Sequence, residues 1–330
     1  MKGNFHVRFG ERGGETRRPP GRKVRPAPTL RSGGMLLSAA AELRRQELEY
    51  RNLQLYGQER NLMTSAIARM NLFLHGIEDF HVERGDTLAD PKFLEGDRLR
   101  RFDVALANPP YSIKQWDRDA WAADPYGRNL YGVPPQGRAD YAFFQHIIAS
   151  LKPQTGRCAI LFPHGVLFRD EEQAMRARLV AAGVLDCVIG LGPNLFYNSP
   201  MEACVVVCRT HKPPARRGCV LFVNAVDEVT RERAQSFLER EHIERIVETY
   251  RAFEDVPGFA RVAGLEEIRA NRDNLSIPLY VLPLNGTNGG DMAEQSLATV
   301  IAEWEASSQA LRAAMDGLFA TLREAGIKDH

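Results

Sequence analysis

From residue 33 onward the apolar positions switch between two periods, and each switch marks an element. "GGMLLSAAAELRRQ" (33–46) opens on two glycines and continues in good helix formers, which predicts a helix. Leu53 and Leu55 repeat at period two ahead of Gly57, which predicts a strand. "NLMTSAIARMNLFLHG" (61–76) sets Ile67, Met70 and Leu74 at helical spacing, with Gly76 as its stop. "FHVERGDTL" reads as a short strand and a turn. In "FDVALANPPYS" (102–112), Phe102, Val104 and Leu106 alternate as a half-buried strand. Two consecutive prolines must end that strand, because neither donates a backbone hydrogen bond. "ADYAFFQHIIASLKP" gathers Phe144, Ile147, Ile148 and Leu151 on one helical face. "GRCAILFP", "LDCVIGL" and "EACVVVC" are apolar strands, and "DEEQAMRARLVAAG" is a helix between the first two.

Strands separated by helices predict an α/β fold, a Rossmann-like, doubly wound parallel sheet covered on both faces. Ligands of such sheets lie at the carboxyl ends of the strands. "NPPY", Asn108 to Tyr111, falls at one of those ends. The last segment has another period. Leu297, Ile301, Trp304, Ser308, Leu311, Met315, Leu318 and Leu322 alternate spacings of four and three, a heptad seam with one polar member. Such a seam either docks a long helix on its own domain or receives a partner helix.

Composition adds limits. With 330 residues and 44% hydrophobic content, the chain can bury a large core. Its formal net charge of +1 is unevenly spread. Residues 1–34 hold nine Lys/Arg against two Glu and contain 11 Gly or Pro, the composition of a disordered basic arm. No apolar run reaches the ~18 residues of a membrane span, and no secretory segment follows the amino terminus. Cys158, Cys187, Cys204, Cys208 and Cys219 sit among apolar neighbours and are expected as buried thiols in strands. No spacing completes a zinc site, so no metal is expected. A cytoplasmic, reduced protein is the expectation.

The chemistry centres on Asn108. An exocyclic amine conjugated to a base is a poor nucleophile, and acceptors fixed against its N–H groups stabilise the charge that develops on attack. The side-chain carbonyl of Asn108 and the backbone carbonyl of Pro109 are such acceptors, and Pro109 and Pro110 hold them rigid. Tyr111 offers a face on which an extruded base stacks. A methyl donor belongs near the same strand ends. Glu59 closes the strand "LQLYGQE", where an acidic residue binds ribose hydroxyls. Asp86 in "GDTL" suits an adenine amino group. Ser32, Gly33 and Gly34 open a helix whose amino end allows close backbone approach to a ligand.

Together the runs "LRSGGMLLSAA", "LYGQERN", "AIARMNLFLHGI", "GDTLADP", "FDVALANPPYS", "ADYAFFQHI" and "GRCAILFPHGVLFR" resemble the modification subunit of type I restriction–modification systems. That family comprises adenine-N6 DNA methyltransferases that use S-adenosylmethionine. The likeness spans roughly residues 28–330 and includes "NLSIPLYV". It implies that Glu59 holds the cofactor ribose, Asp86 the cofactor adenine, and Asn108 to Tyr111 the target base. It implies DNA, a specificity subunit met through the carboxyl-terminal helices, and a restriction subunit as partners.

One stretch departs from the family. Its first motif reads roughly Asp-Pro-x-Cys-Gly-Ser-Gly-Gly, whereas "APTLRSGG" has Ala27, Leu30 and Arg31 in place of Asp, Cys and the first Gly. The upstream "RPPGRKVRP" carries prolines that no mid-sheet strand accepts. The sequence therefore predicts a sheet incomplete at its first strand and a non-family segment at 1–31, such as a shifted reading frame leaves. It also predicts weak or absent S-adenosylmethionine binding. A methyltransferase domain over 32–225 and a helical partner-binding region over 226–330 follow. Two alternatives stand beside the active adenine methyltransferase: an inactive remnant that still binds the specificity subunit, and an NPPY enzyme acting on glutamine side chains or RNA.

Overall fold

The computed structural model describes residues 33–47, 53–111, 113–196, 201–232, 235–282 and 309, and the backbone course of 4–8. The chain divides into two compact units, 1–284 and 285–330. The elements of the first are, in order, β1 (Asn4–Arg8), α1 (Gly34–Arg45), β2 (Gln54–Glu59), α2 (Leu62–Leu74), β3 (Phe80–Arg84), β4 (Leu94–Glu95), β5 (Arg98–Leu99), β6 (Val104–Ala107), α3 (Arg118–Ala122), α4 (Asp140–Ala149), β7 (Arg157–Pro163), α5 (Gln173–Ala181), β8 (Leu185–Leu191), β9 (Ala203–Arg209), β10 (Cys219–Ala225), β11 (Thr230–Arg231), β12 (Ser236–Phe237), α6 (Arg240–Ala252), β13 (Ala260–Gly264) and α7 (Leu265–Ala270). One sheet runs in the order β13-β10-β8-β9-β7-β6-β1-β2-β3.

The sheet is mixed rather than wholly parallel. β9 lies antiparallel between β7 and β8, and β13 antiparallel on β10. Eleven residues separate β8 from β9. A parallel return needs a crossover of a dozen or more, so the chain turns back and pairs antiparallel.

The expected gap at the first strand is filled. β1 pairs in parallel with β2, Phe5 opposite Leu55, and with β6, Phe5 opposite Val104. The prolines that exclude a ladder begin at Pro19, whereas the strand is drawn from Asn4–Arg8, ahead of them. Ladder bonds are made by the backbone, so "NFHVR" serves despite its charged surroundings. Arg31 and the rest of the altered motif lie outside the described residues.

The first unit also continues past residue 225, where the sequence places its boundary. β13 extends the sheet, and Tyr280 stacks on Phe222 of β10 at 3.9 Å between ring centroids. Leu275 and Ile277 are buried with them, and the Leu275 amide donates to the Leu167 carbonyl. The "NLSIPLY" run is thus a clasp across the sheet. The seam from Leu297 to Leu322 lies outside the described residues.

The helices bury the faces that position the strand ends. Phe144, Ile147, Ile148 and Leu151 pack as expected with Phe162, Val188 and Phe222, each large apolar side chain contributing roughly 1.5–3 kcal/mol. On α2 the buried side is Ser65, Ala68 and Leu72, while Met70 and Leu74 are exposed. A Cβ on Gly33 would stand 3.3 Å from the Ala68 carbonyl oxygen. Approach that close requires a small side chain at Ala68, while Leu72, one turn further on, fills the rest of the inner face.

Candidate functional site

β6, β1, β2 and β3 are adjacent and parallel, so their carboxyl ends share one edge. Arg8 pairs with both Gln58 and Ala107, and Glu59 pairs with Arg84. Asn108 therefore emerges beside β1, with Glu59 on the far side of it. At about 4.8 Å between neighbouring strands, β6 and β2 lie ~10 Å apart. Asp86 leaves the next strand along. The fold brings Glu59, Asp86 and Asn108 to one edge, as their places at strand ends predict.

Glu59 is the last residue of β2 and only 1% exposed. Its Oε1 accepts the Asn61 amide at 2.7 Å, and Asn61 in turn caps α2 by accepting the Thr64 amide at 3.0 Å. The carboxylate is thus held in the strand-to-helix turn. Asp86 is a turn residue as well. Its Oδ1 accepts the Leu88 amide at 2.9 Å, and its Oδ2 lies 3.6 Å from Arg60. Gly33 is the N-cap of α1 with φ 84°, a backbone state that glycine adopts without strain. Gly34 begins the helix and is buried. Ser32 lies outside the described residues.

In the NPPY turn, Pro109 is buried while Asn108, Pro110 and Tyr111 are partly exposed. The Tyr111 hydroxyl donates to Asn108 Oδ1 at 2.7 Å. The turn is thus closed on itself: one lone pair of the acceptor expected to meet an amine is taken by the hydroxyl of the ring expected to stack on the base. An amide oxygen accepts two hydrogen bonds, so a base amine meets Oδ1 beside that hydroxyl or in its place.

Sequence reasoning passed over two residues that hold this edge. Gln58, buried in β2, donates to the Asp90 carbonyl at 2.8 Å and accepts the Lys92 amide at 3.0 Å, tying the Asp86 turn to the sheet. A polar residue at a buried strand position was its only signal. Arg128, also buried, reaches the same turn from the segment that follows NPPY.

A cleft of about 610 Å³, lined by Glu95, Arg98, Arg101, Tyr126 and Ala149 among others, does not coincide with this edge. Its residues at 98–101 lead into the amino end of β6. The five cysteines are free thiols, and Cys158, Cys187, Cys204 and Cys208 are buried in β7, β8 and β9. Among the described residues no group of His, Cys, Asp and Glu could hold a metal ion, and no helix is long and apolar enough to cross a membrane.

Beside the edge, the loop after β7 carries Arg169, which donates to Asp140 at 2.8 Å and to Glu172 at 2.7 Å. Two buried carboxylates share one cation. Burial, and secondarily the Asp140 charge, push the Glu172 carboxyl up to about 6 against the pull of Arg169. The folded state therefore holds this proton more tightly than the unfolded chain, whose ordinary value is 4.5. That contribution, at most ~2 kcal/mol, is fully present below the unfolded value and lost as pH rises through the folded one. Glu172→Gln is expected to gain about 2 kcal/mol on the wild type between pH 4.5 and roughly pH 8, read from urea unfolding. Parallel stability curves would exclude a Glu172 carboxyl raised by burial.

The N-6 DNA Methylase family profile matches residues 20–287. The chain is 34% identical over 255 residues to the Type I restriction enzyme MjaVII methylase subunit of Methanocaldococcus jannaschii, covering 74% of this chain and 43% of that protein. It is 30% identical over 299 residues to the HindI methylase subunit of Haemophilus influenzae, covering 87% of this chain and 66% of that one. The crystal structure of a type I restriction–modification methyltransferase subunit from Streptococcus thermophilus superposes with TM-score 0.72 at 31% identity, over 85% of this chain and 55% of that chain. The chain spans between under half and about two thirds of the length of these relatives.

Proposed function

Because the chain belongs to the N-6 DNA methylase family, we propose that it acts as the modification subunit of a type I restriction–modification complex and methylates the exocyclic N6 amine of adenine in DNA. The observation that carries this reading is the NPPY turn at the carboxyl end of β6, on the same sheet edge as Glu59 and Asp86.

The donor set suits S-adenosylmethionine: a buried carboxylate for a ribose diol, a turn aspartate for an adenine amino group, and a glycine-capped helix start for backbone approach. When bound, that cofactor supplies an electrophilic methyl group. The chain's own residues then act on the amine. Asn108 Oδ1 and the Pro109 carbonyl accept its two N–H groups and favour a tetrahedral nitrogen as positive charge develops. The Tyr111 ring stacks on the extruded base, worth roughly 1–3 kcal/mol. The partners are DNA, a specificity subunit received by the seam between residues 293 and 325, and the restriction subunit of such complexes. Free buried thiols suit a reducing, cytoplasmic setting.

The inactive-remnant reading rests on the altered "APTLRSGG" motif, of which residues 27–32 lie outside the described residues. Calorimetric titration of the full chain with S-adenosylmethionine separates the two. An active subunit takes up one cofactor per chain, with an affinity weakened at least tenfold by Glu59→Ala, whereas the altered motif predicts weak or absent binding. A wild-type chain that binds none would favour the remnant.

A further inference from the structure

Arg128 is only 3% exposed, yet it reaches outside its own loop. Nη1 donates to the Thr87 carbonyl at 2.8 Å, and Nη2 to the Leu88 carbonyl at 2.9 Å. Nε and Nη2 both donate to Asp124 Oδ1, at 2.9 and 2.6 Å, and the Arg128 amide donates to Asp124 Oδ2 at 2.7 Å. The guanidinium stands 4.8 Å from the Trp121 ring centroid and 5.1 Å from that of Tyr126. Nη1 also lies 3.4 Å from His146 Nδ1.

Thr87 and Leu88 directly follow Asp86. Asp124 to Arg128 belong to the segment that leaves the NPPY turn, and that segment is braced by its own bonds. Trp116 donates to the Gln136 carbonyl, Arg118 to the Pro134 carbonyl, and the Tyr131 amide to Gln145 of α4. One side chain therefore fastens the turn carrying Asp86 to the segment continuing from Asn108 and Tyr111.

A buried cation is costly to desolvate, and Asp124, from the same loop, already pairs with it. The two remaining bonds go to successive backbone carbonyls, which any sequence at 87 and 88 would offer. Paired bonds to neighbouring peptide units fix the orientation of the turn as well as its distance. The planar guanidinium supplies five donors in a rigid fork, whereas an ammonium offers three from one point.

We infer that Arg128 is a positioning residue for methyl transfer. It sets the spacing between the Asp86 turn and the NPPY turn, and so the approach of methyl donor to amine. This rests on the function proposed above. Displacement of reacting groups by about 1 Å costs on the order of 10²-fold in rate.

The test compares Arg128→Lys and Arg128→Met with the wild type in the full chain. Hydrogen exchange at amides 86–90 is followed without ligand, and kcat and KM are measured with a specificity subunit present. Arg128→Lys keeps the charge and the Asp124 pair. It is expected to raise exchange at 86–90 about tenfold, leave β8 unchanged, and lower kcat at least tenfold with KM for DNA within about twofold. Arg128→Met should exceed it in both effects; if Met does not fold, Lys alone carries the test. Wild-type exchange at 86–90 in the Lys variant, or exchange raised equally in β8, would overturn the inference. If the wild type transfers no methyl group, the proposed function fails, while exchange still decides whether Arg128 holds the turn.

Discussion

Asn108→Ala is expected to lower the turnover number for methyl transfer roughly 10²- to 10³-fold, with DNA affinity little changed. The acceptor serves charge that appears only as the amine attacks, so its loss falls on kcat rather than on binding. Tyr111 separates the two roles within the same turn. Tyr111→Ala removes the stacking face and should cost roughly 1–3 kcal/mol in base binding. Tyr111→Phe keeps the face and removes the hydroxyl that now donates to Asn108 Oδ1. It should bind DNA about as well as the wild type, because the stacking face is kept and Oδ1 retains its lone pairs for the amine. Single-turnover rates and filter-binding affinities of the three variants check this. An unaltered turnover number for Asn108→Ala would remove the mechanism.

Leu311→Asp or Leu318→Asp is expected to abolish co-purification with a specificity subunit. The seam keeps eight positions in one register from Leu297 to Leu322, with Ser308 as its one polar layer. Each Leu or Met on it contributes roughly 1.5–3 kcal/mol by burial. An unpaired carboxylate in the same place adds a desolvation cost of several kcal/mol, so one substitution removes most of the energy of such an interface. The far-ultraviolet helical signal of the isolated chain should stay nearly unchanged. Unfolding of the isolated chain would place the seam inside the protein instead.

Legibility followed how local each signal is. Periods of two and 3.6 were enough for α1, α2, α4 and most of the sheet, because they reflect burial of one face. The NPPY turn, Glu59 and Asp86 were legible because their strands end where those residues stand. β1 was not legible. Five residues with Phe5 and Val7 alternating are too short a pattern to outweigh an arginine- and glycine-rich setting, and its pairing with β2 and β6 is long-range. The direction of β9 depended on connection length rather than on its own residues. On α2 the inner face is set by Ala68 against Gly33 and by Leu72, so Met70 and Leu74 turn outward although they share a helical spacing with half-buried Ile67. Arg128 carries no spacing signal, since its partners at 87 and 88 are backbone carbonyls.

The central claim is that this chain places a methyl group on adenine N6. The most direct measurement supplies the full chain, with a specificity subunit, with S-adenosylmethionine tritiated in its methyl group and unmodified duplex DNA. The DNA is then digested to nucleosides and separated. The account predicts label in N6-methyldeoxyadenosine, lost with Asn108→Ala. Label in methylated cytosine, label recovered only in protein or RNA, or DNA left unlabelled by a chain that binds the cofactor would contradict it.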